Sequence, residues 1–148
     1  MSDWKVPVDE SIDKSKMVLV IRKDLKVPKG KYISQGAHAA TCALIQALFG
    51  HRITEDDFDG HEIKTHSITN DAVKDWLTGE FTKITVGVNS LEDLEDIEAK
   101  AREQGLNVCK IVDNGHTCFE GTPTVTCIAI GPDYSSAIDP ITKKLPLF

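Results

Sequence analysis

One short apolar run constrains the fold more than any other feature of this chain. The segment "MVLVI", residues 17–21, is continuous and is bounded by Lys16 and Arg22. A run of this length with charges at both ends is typical of a β-strand buried on both faces. Such a strand must be covered from both sides, so the pattern favours a layered α/β domain.

The rest of the chain supplies further strands and the helices to cover them. Three more strands are predicted, at residues 82–88, 107–112 and 124–130. A helix capped by Ser34 and ending at about Phe49 has an apolar stripe formed by Ile33, Ala37, Ala40, Leu44 and Leu48. Because strands first alternate with helices and two strands then follow in succession, we expect a mixed four-stranded β-sheet with helices on both faces.

Two more helices and a short terminal turn complete the prediction. Residues 71–77 form a short capped helix after Thr69 and Asn70. Ser90 caps a longer helix with the inner stripe Leu91, Leu94, Ile97 and Ala101, which ends at Gly105. Near residues 135–138 we expect at most a short helix, because Pro140 disfavours helical geometry at Asp139.

The length of 148 residues fits one domain. Residues 1–15 lack periodicity and are predicted to be a flexible N-terminal tail, which leaves residues 16–148 as the domain. The polar, acidic segment at about residues 50–68 is long for a connection, and a flap, a small hairpin and disorder are all compatible with it.

Composition excludes several classes of protein. No stretch approaches the roughly 18 apolar residues of a membrane span, and the first residues lack the apolar centre of a signal peptide, so we expect a cytoplasmic protein with no membrane partner. The net charge of −6 argues against a protein that coats nucleic acid nonspecifically.

The cysteines and histidines, which are the usual metal-binding and redox-active residues, form no recognisable motif. The four cysteines, Cys42, Cys109, Cys118 and Cys127, contain no CxxC pair and are predicted to be reduced, mostly packed thiols. His51, His61 and His66 match no metal template, and no GxSxG, P-loop or GxGxxG motif is present. We therefore predict neither a metal nor a cofactor.

Charge is nevertheless uneven along the chain. Residues 16–31 carry six basic side chains and one acidic one. A solvated loop and a local anion-binding site are both compatible with this run. Lys31, Gln35 and His38 follow it at helical spacing and share one face, next to a helix N-terminus that favours anions. His38 is either a packing residue or a proton carrier.

Asp113 is the second candidate. It follows an apolar strand and precedes Asn114 and Gly115, so its carboxylate emerges at the end of a strand, where α/β sheets usually place ligands. Ordinary turn chemistry explains the same three residues, and the spacing alone leaves both interpretations open.

Three long motifs together resemble the type II peptidyl-tRNA hydrolases, the archaeal and eukaryotic type. They are "KMVLVIRKDLKVPKGKYISQGAHAA", "VDNGHT" and "AIGPDYSSAIDPITKKLPLF". The residues that match the pattern are Lys16, Arg22, Asp24, Leu25, Lys29, Gly30, Lys31, Gln35, His38, Ala39, Trp76, Gly79 and Lys83.

The resemblance implies hydrolysis of the ester that joins a peptide to the 3′ ribose of tRNA, with release of both. The family's site residues carry over as Lys31, Gln35 and Asp113, and its threonine as Thr126 when counted back from Gly131, with Thr124 as the competitor. The resemblance also implies a homodimer. Two departures are His116 in place of an arginine and Cys118 in place of a glutamine.

These residues suggest a mechanism. Asp113 orients or activates water, while Lys31 and Thr126 stabilise the oxyanion or the leaving ribose oxygen. Gln35 positions the ester or the terminal adenosine. The tRNA phosphates are expected to meet Arg22, Lys23, Lys26 and Lys29. The competing hypothesis is an inactive RNA- or protein-binding module on the same fold.

Overall fold

A computed structural model describes residues 12–64 and 70–148. Its main sheet has four strands, β1 (Ser15–Arg22), β4 (Lys83–Val88), β5 (Val108–Asp113) and β6 (Thr124–Tyr134). Their order across the sheet is β4-β1-β6-β5. Strand β1 is parallel to β4 and antiparallel to β6, and β5 is antiparallel to β6, so the sheet is mixed as predicted.

Helices cover both faces of this sheet. They are α1 (Lys29–Phe49), α2 (Asp71–Thr78), α3 (Leu91–Glu103) and α4 (Ser135–Thr142). One core cluster joins α3 and α4 to Val18 and Val20 of β1, and the other joins α1 and α2 to Leu19 and Ile21. The alternate side chains of the apolar run thus point into two cores, and the predicted α/β fold class is confirmed.

Helix α1 differs from the prediction at its start and on its buried face. It begins at Lys29 after Pro28, so Ser34 lies inside the helix rather than at its cap. The buried residues are Gln35, Gly36, Ala39 and Ala43, whereas Ile33 is 72% exposed. Of the predicted stripe, Ala40 and Leu44 pack against the core, whereas Ile33 and Ala37 are exposed. The prediction was wrong for the first turns, where the helix approaches the sheet through Gln35 and Gly36.

Helices α2 and α3 follow their predictions closely. Asn70 caps α2 by accepting a hydrogen bond from the Val73 amide. Ser90 caps α3 in the same way through Asp93. The inner residues of α3, Leu94, Ile97 and Ala101, are buried.

Helix α4 is longer than expected. It continues through Pro140 to Thr142, and the prediction of a stop before the proline was wrong. Ile138 and Thr142 are buried, and Asp139 pairs with Lys16 of β1. These contacts hold the last turn in place although Pro140 offers no backbone donor.

The acidic insertion contains a short 3₁₀ turn at Glu55–Asp57 and a small hairpin, β2 (Phe58–Asp59) and β3 (Glu62–Ile63). Of the three interpretations left open, the hairpin is the one found there. Residues 65–69, the remainder of the insertion, and residues 1–11 of the predicted tail lie outside the described residues. The division into tail and domain stays a prediction.

Two of the four cysteines are joined by a disulfide, contrary to the prediction of reduced thiols. It links Cys42 of α1 to Cys109 of β5. Cys118 and Cys127 are free. Because the bonded residues are 67 positions apart, their proximity is a product of the fold and leaves no motif in the sequence.

Candidate active site

The candidate residues meet where α1 begins, β5 ends and β6 starts. Asp113 is the last residue of β5 and pairs with Thr124, the first residue of β6. The first turns of α1 lie against both strands, because α1 packs across β5 and β6. A loop of residues 114–123 closes this edge of the sheet.

The Asp113 carboxylate is held from three sides. Its Oδ1 atom accepts hydrogen bonds from Lys31 Nζ at 2.9 Å and from Gln35 Nε2 at 3.2 Å. Its Oδ2 atom accepts a bond from the Gly115 amide at 2.9 Å. Gly115 has a φ of 84°, and a Cβ there would lie 2.4 Å from the Thr122 carbonyl oxygen, so only glycine fits this turn.

This arrangement fixes the charge of the carboxylate. The hydrogen bond from Lys31 lowers the pKa of Asp113, and burial opposes the shift without reversing it. The two side chains are 15% and 10% exposed, so water screens their attraction only in part. The site therefore holds a carboxylate that is ionised at neutral pH beside an ammonium group.

Gln35 is held beneath this pair by Thr126. The Thr126 hydroxyl donates to Gln35 Oε1 at 2.6 Å, which leaves the amide nitrogen to face Asp113. Both residues are almost fully buried, at 3% and 4% exposure. The competing residue, Thr124, instead donates to the Thr122 carbonyl at 2.9 Å.

A buried thiol lies next to this glutamine. Cys127 Sγ donates to the Gln35 carbonyl oxygen at 3.4 Å. Burial raises the pKa of the Cys127 thiol to about 11. The thiol stays protonated at neutral pH, so it packs in the core and is not a nucleophile.

The structure adds Thr117, which the sequence analysis did not single out. Its hydroxyl oxygen accepts a hydrogen bond from Lys31 Nζ at 2.7 Å. The motif "VDNGHT" ends in this residue, but no role was assigned to it, because it lies in an irregular loop where no periodicity relates it to α1. Since the hydroxyl accepts from Lys31, its own proton remains available to donate to another group.

The polar groups at this edge combine a hydrogen-bond acceptor with several donors. The Asp113 carboxylate can bind and orient a water molecule, while the Lys31 ammonium and the Thr117 hydroxyl can donate to a developing oxyanion. Among residues 12–64 and 70–148, no group of three or more His, Cys, Asp and Glu side chains is placed to hold a metal ion.

The family model of the peptidyl-tRNA hydrolase PTH2 matches residues 15–148. The chain belongs to this family. Individual relatives agree with that assignment. A peptidyl-tRNA hydrolase of Methanocaldococcus jannaschii is 40% identical over 132 residues, which cover 89% of this chain and 98% of that protein.

Two further relatives extend the comparison. A peptidyl-tRNA hydrolase of Thermoplasma acidophilum is 35% identical over 133 residues, covering 89% of this chain and 97% of that protein. A probable peptidyl-tRNA hydrolase 2 of Dictyostelium discoideum is 34% identical over 146 residues, covering 99% of this chain. The match spans 60% of the length of the Dictyostelium protein.

His38 takes no part in the hydrogen bonds of this cluster. It is exposed on α1 and lines a shallow cleft with Arg52, Ile53 and Ile111. The hydrogen bonds that hold Asp113 come from Lys31, Gln35 and Gly115 instead. The structure thus brings together four of the candidate residues, Lys31, Gln35, Asp113 and Thr126, and leaves His38 outside.

The four basic residues proposed for tRNA are not equivalent. Lys26 and Lys29 are exposed. Arg22 donates through two nitrogens to Asp24, at 3.2 and 2.7 Å, and through a third to the Val125 carbonyl. The stem of Lys23 lies against Gly87, where a Cβ would come within 2.6 Å of it. Of the four, Arg22 is the one paired with a carboxylate, and Lys26 and Lys29 are the two that are exposed.

Proposed function

We propose that Asp113, Lys31, Thr117 and Gln35 carry out the hydrolysis of peptidyl-tRNA, the activity for which the family of this chain is named. The observation that carries the proposal is the Asp113 carboxylate, held at the end of β5 by hydrogen bonds from Lys31 and Gln35. The chemistry is ester hydrolysis, which releases the peptide and the tRNA.

Asp113 is the group that handles the attacking water. Water adds to the ester carbonyl carbon, and its proton passes to the carboxylate; the bond to the ribose oxygen then breaks and that oxygen takes up a proton. A carboxylate with a lowered pKa is a weak base on its own. Its basicity rises when Lys31 turns toward the negative charge that develops on the substrate, because the ammonium then stabilises the carboxylate less.

Lys31 and Thr117 stabilise the negative charge. The ammonium has three donors, and Asp113 and Thr117 accept two of them. The third donor and the Thr117 proton are directed to the carbonyl oxygen or to the departing ribose oxygen. Donors that are already in place cost no reorganisation when the charge appears.

Thr126 acts through Gln35. Because its only proton is donated to Gln35 Oε1, we assign it a positioning role in place of the oxyanion contact expected from the sequence. Gln35 orients Asp113 and lies where the ester approaches it. His38 contributes to the outer surface of α1 and not to proton transfer.

The phosphates of tRNA contact Lys26 and Lys29, which are exposed near the start of α1. Replacing either residue by glutamine lowers the slope of log affinity against log salt by about 1. Arg22→Gln is expected to leave that slope unchanged, since Asp24 already neutralises its charge.

The decisive assay measures release of the N-blocked amino acid from N-acetylaminoacyl-tRNA. Asp113→Asn should lower turnover by about 100- to 10,000-fold with an unchanged circular dichroism spectrum. The control is Asp96→Asn, which changes an exposed aspartate of α3. Full turnover by the Asp113→Asn variant would disprove the role of this carboxylate. Salt-sensitive tRNA binding without turnover by the unmodified protein would favour an inactive binding module.

Thr126→Ser and Thr126→Val separate positioning from packing. Serine keeps the hydroxyl that holds Gln35 and should retain most of the turnover, whereas valine should lose kcat more than it changes KM. Equal losses in the two variants would contradict the positioning role.

We also propose that the chain forms a homodimer through the exposed apolar flank of α1. Ile33 and Ala37 are exposed there, beside a groove also lined by Tyr32, Ala40 and Phe148. Apolar surface of this kind favours contact with another protein surface. Light scattering should give the mass of a dimer for the unmodified protein and of a monomer for Ile33→Lys.

The cytoplasm is the proposed compartment, because peptidyl-tRNA is produced by ribosomes there. No helix in the described part of the chain is long and apolar enough to cross a membrane. The Cys42–Cys109 disulfide is unusual for the cytoplasm. Labelling of free thiols in freshly lysed cells measures whether Cys42 and Cys109 are reduced or oxidised in the compartment where the protein resides.

A further inference from the structure

Phe119 lies beside the catalytic lysine and has no role in the mechanism above. The centre of its ring is 5.9 Å from Lys31 Nζ, and the residue is partly buried. The ring thus lies within cation–π range of the ammonium group that pairs with Asp113.

The loop that carries this ring is closed by its own hydrogen bonds. The Phe119 carbonyl accepts the Thr122 amide at 2.9 Å, and the Gly115 carbonyl accepts the Gly121 amide at 2.9 Å. Gly115 in turn is bonded to the Asp113 carboxylate. The backbone of Phe119 is therefore connected to the carboxylate by a short, hydrogen-bonded path.

The chemistry of the substrate places a flat base at this distance from the reaction. The ester lies on the ribose of the terminal adenosine, so one sugar separates the reacting carbonyl from a purine ring. When the carbonyl is at Lys31, the purine lies within reach of groups that surround Lys31. Aromatic side chains bind nucleic-acid bases by stacking, and every base has a face for this contact.

We infer that Phe119 is the stacking platform for the terminal purine base of the tRNA substrate, an inference that rests on the proposed function. Phe119 then places the ribose ester against Lys31 and Asp113. It contacts the substrate directly, and its contribution is to binding and orientation rather than to proton transfer.

The alternative is that Phe119 only packs against Lys31. In that case its replacement alters the lysine and slows every substrate alike. The two explanations are separated by changing the base as well as the residue. The two substrates are N-acetylaminoacyl-tRNA with its normal terminal adenosine and the same tRNA with the terminal adenine replaced by hydrogen.

The experiment compares unmodified protein, Phe119→Leu and Phe119→Trp on both substrates. On the normal substrate, Phe119→Leu should raise KM by about 5- to 150-fold, the range for loss of one stacked base. Phe119→Trp should retain the activity because it keeps an aromatic face. The unmodified protein should show a similarly raised KM for the substrate without the base. Phe119→Leu should not raise the KM for that substrate any further.

Phe81→Leu is the matched control, since Phe81 is an exposed phenylalanine at the side of Trp76. Phe81→Leu should leave the KM for both substrates unchanged. An equal loss for Phe119→Leu on both substrates would overturn the stacking role and leave the hydrolase intact. Unmodified protein that binds but does not cleave the normal substrate would overturn the proposed function, and this inference with it.

Discussion

Helices α1 and α3 pack on opposite faces of the same sheet and use those faces differently. Helix α3 buries Leu94, Ile97 and Ala101 and exposes its charged residues, except for Glu98. The buried Glu98 carboxylate is paired with Arg102 and Lys110. Helix α1 buries a glutamine with one glycine and two alanines, and exposes Ile33 at 72%. Helix α3 thus follows the usual rule for an amphipathic helix, and α1 departs from it.

The difference agrees with the proposed location of the active site at the start of α1. The small side chains of α1 let its backbone approach β5 and β6, so Lys31 and Gln35 reach Asp113 directly. Helix α3 packs through Leu94, Ile97 and Ala101 into the core on the opposite face of the sheet. We therefore expect changes in α1 to alter activity and changes in α3 to alter stability.

The largest expected effect compares a lysine from each helix. Lys31→Met should lower turnover by about 100- to 1,000-fold, because it removes a positioned donor from the reacting charge. Lys100→Met removes one exposed pair with Asp96 and should leave turnover unchanged. Steady-state kinetics with N-acetylaminoacyl-tRNA measure both, and equal kinetics for the two variants would remove the distinction between the helices.

The converse effect is a loss of stability from α3. Leu94 is fully buried, so Leu94→Ala should lower the free energy of unfolding by about 2–5 kcal/mol without changing kcat. Gln35→Ala should cost about 1–3 kcal/mol, since it leaves the Thr126 hydroxyl unpaired, and should lower kcat as well. Urea unfolding and kinetics on the same samples test this split; a lower kcat in folded Leu94→Ala protein would argue against it.

The disulfide belongs to the α1 side of the molecule. It joins α1 to β5, the two elements that carry Lys31 and Asp113. Replacing both Cys42 and Cys109 with serine should lower the free energy of unfolding by about 2–4 kcal/mol. Cys118→Ser, a change at an exposed free cysteine, is the control. A double variant as stable as the oxidised protein would mean that the cross-link does not constrain the unfolded chain.

A pH effect of smaller size is expected from Asp113. The pKa of Asp113 is lower in the folded protein than in the unfolded chain. At pH values between these two pKa values the folded state binds fewer protons, so the free energy of unfolding rises with pH in that range. This contribution is complete above the unfolded pKa of about 3.9 and is lost as the pH falls through the folded pKa. The stability difference between unmodified protein and Asp113→Asn should therefore narrow on acidification from pH 6 to pH 3; a constant difference would contradict the shift.

The smallest effect compares two serines that look alike in the sequence. Ser90 caps α3, so Ser90→Ala should cost about 1 kcal/mol. Ser34 lies inside α1 and is exposed, so Ser34→Ala should be neutral or slightly stabilising, because alanine has the higher helix propensity. Thermal unfolding of the two variants is sufficient to tell them apart.

The errors in reading α1 have a physical origin. Pro28 and Gly30 favour a loop when read locally, yet proline just before a helix costs no hydrogen bond and the helix begins at Lys29. The apolar stripe was assigned to Ile33 because hydrophobicity and burial usually agree. They disagree at Ile33 because the first turns of α1 face the sheet through Gln35 and Gly36 instead.

Part of the candidate site could be predicted from the sequence. Helical spacing made Lys31 and Gln35 candidates, and the end of a strand did the same for Asp113. The resemblance to the family then assigned all three to the site. Thr117, Phe119 and the Cys42–Cys109 pair were not found, since loop residues obey no period and a cross-link over 67 residues has no local signal.

The sequence by itself determined the alternation of strands and helices, the buried central strand and the caps of α2 and α3, because these depend on neighbouring residues along the chain. The motifs in the sequence also identified the protein family. Only the tertiary structure decided which face of α1 is buried, which threonine meets Gln35 and which loop residues surround Lys31. Those features depend on distances between segments that are far apart in the chain, and local periodicity contains no information about such distances.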